Sequence, residues 1–321
     1  MISRRLLRIK ALMALYAFNR RDDGDLAQAE KELMFSIGKT YDLYHYILLL
    51  IIDLTDIASE KIELALRKKM PTREDLNPNR KFAENPVTEL LRNNRSLKNY
   101  VTAKKISWAN QQDVVRKLYS KLIAWPAYIE YMKAEKRSFS ADKKFITKLI
   151  TEFFVLSDDL MASFEEQSIF WNDDLDYVAA MVEKTIRKFR NDGNPDTGLM
   201  PLYKNEEDEQ YVKILFRKAV LNSKEYSELI DKNTTNWEVE RIALMDTLVM
   251  QLAIAEIAEF EEIPVKVSLN EYIEIAKYYC TSKSSTFVNG ILDKVVREMK
   301  ENNIFRKTGR GLVGDVRGEN D

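Results

Sequence analysis

Arg4, Arg5, Arg8 and Lys10 crowd the opening turns of a helical stretch, RRLLRIKALMALYAF at 4–18. Wound at about 100° per residue, Leu7, Ala11, Ala14, Leu15 and Phe18 form one stripe. Leu6, Ile9, Leu12, Met13 and Tyr16 fill the other sides, so the helix is buried nearly all round from Ala11 onward. Its cations sit at the positive end of the helix dipole, where each costs a few tenths to about 1 kcal/mol. An anion would relieve that cost, and arginines beside free backbone N–H groups suit a phosphate. An ordinary solvated helix start has the same pattern, and on these residues alone both readings stand.

Other chemistry has less to build on. His45, between Tyr44 and Tyr46, is the single histidine, and Cys280 the single cysteine. There is no histidine pair for a metal, no zinc cluster, and no base beside a nucleophile. The acidic runs at 157–159, 173–176 and 206–209 have the carboxylates for Mg²⁺. They fall at expected helix N-termini, where acids complement the dipole. No cofactor and no catalytic residue is expected.

The elements that position these residues follow from punctuation. Nine glycines and seven prolines in 321 residues are about 5%, against an ordinary combined usage of roughly 12%. None of the glycines lies between Gly38 and Gly193, so the tight turns that sheets and phosphate loops require are scarce. The class expected is all-α. The length suggests about two domains. Fifty Lys and Arg against fifty-one Asp and Glu leave a net charge of −1, so any attraction to a polyanion must come from a local cluster. A lone cysteine suits a reducing cytoplasm. The apolar run 11–18 is interrupted by Lys10 and followed by Asn19, Arg20, Arg21 and Asp22, unlike a secretory leader. The run 46–52 is far shorter than the ~20 residues of a membrane span.

After the first helix and an acidic turn at 22–25, a second helical tract runs to about Arg67. A connector at 71–86 carries Pro71, Pro78 and Pro86. Residues 87–190 are helical again. Their aromatics, among them Trp108, Tyr119, Trp125, Tyr128, Tyr131, Phe154 and Trp171, read as core anchors rather than a base-stacking platform. A second breaker, NDGNPDTGLMP at 191–201, precedes a compact helical block. The organisation expected is an N-terminal helical domain at 1–204, a C-terminal bundle at 205–305 and a disordered Gly-rich tail at 306–321. In the bundle, Thr235 with Glu238 and Ser268 with Glu271 have capping-box spacing. Thr281, Ser282, Ser284 and Ser285 offer further caps. Phe287, Ile291, Val295 and Met299 recur every fourth residue, and Gly290 interrupts that helix, suggesting close helix approach or a ligand near the backbone.

Three blocks of this C-terminal region, WEVERIALMDTLVMQLAIAEI at 237–257, IPVKVSLNEYIEIAKYY at 263–279 and STFVNGILDKV at 285–295, resemble the NusB transcription antitermination family in order and spacing. RRLLRIKALMALYAF is similar to that family's arginine-rich first helix. The resemblance implies NusB-like helical bundles without catalytic activity, carrying a large helical insertion or expanded N-terminal region between about 21 and 204. It implies pairing with the ribosomal small-subunit protein NusE, binding of boxA-type single-stranded RNA from ribosomal RNA operons, and action on the RNA polymerase elongation complex. Carried over residue by residue, it places Arg4, Arg5, Arg8, Lys10, Tyr16, Lys283 and Phe287 at RNA and Asp246 toward NusE. Lys283 departs from the acidic residue of several relatives. Two rivals remain: a helical module that binds only protein, and an RNA-modifying enzyme. The second needs a Gly-rich strand-to-helix turn, and the glycine-free interval argues against it.

Overall fold

A computed structural model of the protein describes residues 2–21, 24–234 and 242–312. Among them are fifteen α-helices and no strand. α1 (Arg4–Asn19) and the 41-residue α2 (Leu26–Leu66) open the chain. The proline-rich connector holds one turn, α3 (Arg73–Leu76), because Pro71, Pro78 and Pro86 restrict the residues before them. The middle is built of α4 (Pro86–Asn93), α5 (Arg95–Lys104), α6 (Gln112–Ala124), α7 (Pro126–Lys133), α8 (Phe139–Lys148), α9 (Asp158–Gln167) and α10 (Leu175–Lys188). After the second breaker come α11 (Glu206–Leu221), α12 (Ser223–Thr234), α13 (Leu244–Glu259), α14 (Val265–Tyr279) and α15 (Ser284–Glu301). No described helix is long and apolar enough to cross a membrane.

The chain divides into two compact units, and the division differs from the expected boundary at 204. Gly38–Leu202 form one unit. Ile2–Ile37 join the chain from Tyr203 onward in the other. α1 belongs with the C-terminal block because its all-round apolar surface is covered by α11 and α13. Leu7, Ala11, Leu12 and Leu15 are fully buried, and Phe18 meets Phe216 of α11 edge to face. Arg217 pairs with Glu30 at 2.6 Å, fixing the start of α2 to the same unit.

In the unit Gly38–Leu202 the aromatic anchors are core. Trp108, Tyr119, Tyr128, Tyr131, Phe154 and Trp171 are all buried in one cluster around residues 43–58 of α2. The Trp108 and Trp171 indole N–H groups donate to the carbonyls of Tyr46 and Lys39, so each buried ring satisfies its polar atom on α2. Short helices here stop on local signals: Asn85 caps α4, Asn94 ends α4 and caps α5, and Ser138 caps α8.

In the other unit α13 is central, packing against α1, α11, α12, α14 and α15. It has no polar stripe, and residues 248–257 are buried on every side, as an enclosed helix must be. The Thr235–Glu238 box lies outside the described residues. The Ser268–Glu271 box is not one. α14 starts at Val265 behind Pro264, and both side chains serve tertiary contacts instead. The start of the tail is also ordered. Lys307 is buried and its ammonium donates to the carbonyls of Ile257 and Phe260 at 2.8 and 2.9 Å, closing the C-terminal end of α13. Thr308 N–H donates to the Glu261 carbonyl, and Gly311 lies so close to that carbonyl that a Cβ would overlap it. Residues 313–321 lie outside those described.

Candidate nucleic-acid interface

The opening turns of α1 do gather Arg4, Arg5 and Arg8, but into contact with carboxylates of their own unit. Ser3 caps the helix, accepting from the Leu6 N–H. Arg4 pairs with Asp208 of α11 at 3.1 Å and lies over the Tyr211 ring, 4.9 Å from its centre. Arg5 grips Glu271 of α14 with two hydrogen bonds of 2.9 and 2.8 Å. Arg8 is 3% exposed and grips the Glu256 carboxylate of α13, itself 0% exposed, at 2.7 and 2.8 Å. Three guanidinium charges thus meet three carboxylates.

Glu256 is the centre of a buried polar node. Besides Arg8, its oxygens accept from Ser268 at 2.7 Å, from Tyr272 at 3.2 Å, and from Tyr211. Burial and then the Glu256 charge hold both tyrosine hydroxyls far above their ordinary range, so they remain donors at any working pH. A buried carboxylate carrying a bidentate arginine and three hydroxyl donors is a closed arrangement, with its charge compensated on site. Glu271 is held below the usual carboxylate range, chiefly by its bonds to Arg5 against an opposing effect of burial.

The expectation that α1's cations await an external anion is therefore corrected for Arg8, and for Lys10, which is 7% exposed. The dipole penalty is real, but it is met by Asp208, Glu256 and Glu271, residues 200 or more positions away that no local pattern reveals. Arg4 and Arg5 keep solvent access, with side chains 39% and 51% exposed. They border a cleft of about 530 Å³ that also includes Ser3, Pro264, Val267 and Arg310.

The remaining site residues sit elsewhere in the same unit. Tyr16 is half-buried about three turns along α1, with the Arg20 guanidinium 5.3 Å from its ring centre. Lys283 is exposed at the start of α15, and Phe287 is half-buried. Asp246 is buried rather than presented to a partner. One of its oxygens accepts from Ser284 at 2.9 Å. With Thr281 bonded to Ser284 at 2.8 Å, this holds the 281–284 turn against α13. Asp246 and Glu256 stand ten residues apart on α13, so the Lys283 turn and the Arg8 node are separated by roughly 15 Å along that helix.

The acidic runs are also structural. Asp174 accepts from Thr40 at 2.5 Å, Asp159 pairs with Lys117 and Lys121, and Asp208 with Arg4. Burial pushes the Cys280 thiol up to about 12, helped by Asp246, which keeps it protonated.

The NusB family model matches residues 173–297. The transcription antitermination protein NusB of Salinibacter ruber is 38% identical over 130 residues, 39% of this chain and 81% of its own length. That of Chloroherpeton thalassium is 46% identical over 99 residues, 31% of this chain and 47% of its own. That of Natranaerobius thermophilus is 36% identical over 97 residues, 30% of this chain and 70% of its own. No solved structure matches the chain.

Proposed function

Because this chain belongs to the NusB family, we propose that it is a transcription antitermination factor that pairs with NusE and binds boxA-type RNA for the elongating polymerase. The observation that carries this reading is the identity to the Salinibacter protein across 81% of that protein's length. The grouping of α1 with the C-terminal helices supports it, since a NusB-like body then forms from both ends of the chain with the expansion between them.

Within this reading the RNA-facing side chains are Arg4 and Arg5, which retain exposed N–H donors beside their carboxylates, together with Lys283, Phe287 and Tyr16. Arg8 and Lys10 act from inside, holding α1 in place. Asp246 acts toward NusE through the turn it fixes, by holding Ser284 against α13. Phosphate contacts supply affinity and position, and base contacts made jointly with NusE supply preference. The neutralised cluster on α1 favours one rival, a module that binds only protein. Titration of a fluorescent boxA RNA with the full chain, with and without NusE, separates them. Tighter binding with NusE and a preference over a scrambled RNA are expected, and binding of NusE with no gain in RNA affinity leaves the protein-only module.

A further inference from the structure

In the unit Gly38–Leu202, several cations that no ion pair among the described residues compensates lie where α8 meets the end of α10. Lys143 of α8 donates to the carbonyls of Arg187 and Phe189, both at 3.2 Å, which brings the two helices' basic residues together. A cleft of about 410 Å³ is lined by Lys81, by Arg137 just before α8 and by Asn191 just past α10, together with the carboxylates of Glu84 and Asp142. Around this junction Lys136, Arg137, Lys144, Arg187, Lys188 and Arg190 are all exposed. Arg187 pairs with Glu183 at 2.6 Å, and Arg137 reaches Glu84 at 3.8 Å. Lys136, Lys144, Lys188 and Arg190 have no carboxylate partner among the described residues.

This is the reverse of α1, where every arginine of the opening turns has its carboxylate. In a chain of net charge −1, a polyanion is attracted by local excess alone. Like charges held this close repel one another, and a chain of phosphates removes that repulsion while releasing its own counterions. Helix α10's negative C-terminal end accounts for Arg187 and Lys188, but not for Lys136 and Lys144, which come from α8 and the segment before it. We propose that this α8–α10 face is a second RNA-binding surface, gripping the phosphate backbone without regard to sequence. It rests on the RNA-binding reading above and extends it to α8, ahead of the family match, and to the end of α10, inside it.

The test uses the full chain and two fluorescent RNAs of equal length, one containing boxA and one scrambled, read by anisotropy across a salt series. The triple variant Lys144→Glu, Lys188→Glu, Arg190→Glu is expected to bind scrambled RNA at least about tenfold more weakly at low salt. Its log–log salt slope should be shallower by about 2, the value for three phosphate contacts on a single strand. Should the charge reversals impair folding, Lys144→Gln, Lys188→Gln, Arg190→Gln gives the same sign with smaller size. Unchanged affinity and slope, or no binding of scrambled RNA by the unaltered chain, overturns the proposal. Preference for boxA in the presence of NusE reads the primary function separately: it is expected to persist in the triple variant, and its absence counts against that function alone.

Discussion

Replacing Arg8 by methionine leaves the Glu256 carboxylate at 0% exposure without its cation. Breaking a buried ion pair from one side costs about 3–5 kcal/mol, because a charge is left uncompensated in a dry site. The hydroxyls of Ser268, Tyr211 and Tyr272 still donate to that carboxylate, so the expected loss lies near the lower limit, about 3 kcal/mol. Adding Glu256→Gln removes the charge and keeps an acceptor for those hydroxyls. The double variant is therefore expected to recover about 2 kcal/mol of the loss. Urea unfolding followed by far-ultraviolet circular dichroism measures both. The folded double variant is expected to bind boxA RNA within about twofold of the unaltered chain, since Arg8 is only 3% exposed and its guanidinium is taken up by Glu256. The reasoning fails if Arg8→Met costs under about 1 kcal/mol, or if the double variant folds well and still loses tenfold or more in RNA affinity.

Three further outcomes follow from the same geometry. His45 is 1% exposed, stacked on Tyr100 at 3.7 Å, and burial lowers it to about 4 despite the Tyr41 carbonyl and Asp42. It is neutral in the folded state while the unfolded chain protonates near 6.5, so its contribution is present above that pH and lost as pH falls toward 4, by about 3 kcal/mol in all. Asp53, raised to about 6 by burial and then Asp56, acts in the opposite direction over pH 4–6. The measured quantity is thus the difference between the unaltered chain and His45→Phe, and a difference flat from pH 7 to 4 would contradict the assignment. Gly311→Ala is expected to dislodge residues 306–312 from the Glu261 carbonyl and to speed tryptic cleavage there about tenfold, with the urea midpoint little changed; equal cleavage rates would show that the segment does not depend on that fit. Gly38, inside α2 with open space where a Cβ would stand, is expected to gain about 0.5–1 kcal/mol on replacement by alanine, and a loss in urea unfolding would mean the helix needs flexibility there.

The fold class was legible because helices leave a compositional trace: few glycines and prolines, and apolar residues on every side of α1 and α13. The family was legible in the C-terminal blocks, whose order survives the large expansion before them. The meaning of the arginine cluster was not. Asp208, Glu256 and Glu271 lie 204, 248 and 266 residues from the arginines they meet. Only tertiary packing reveals that the anion demanded by the helix dipole is internal. Ser268 and Glu271 failed as a cap for a related reason. The spacing of a capping box is also the spacing of two residues on one helix face, and here that face meets α1 and α13. The C-terminal segment read as disordered from its glycines, yet Gly311 is what lets the chain approach Glu261, and Lys307 finds the carbonyls at the end of α13. The α8–α10 basic face went unread because its residues come from separate stretches around 136–144 and 187–190.

The most direct test of the central claim is the affinity of the full chain for boxA RNA in the presence of NusE, compared with the variant Arg4→Gln, Arg5→Gln, Lys283→Gln. NusE is expected to tighten binding to boxA over a scrambled RNA, and the variant to weaken boxA binding and flatten the salt slope by about 2. Binding that ignores NusE and the boxA sequence, or that is untouched by the three substitutions, would contradict the claim.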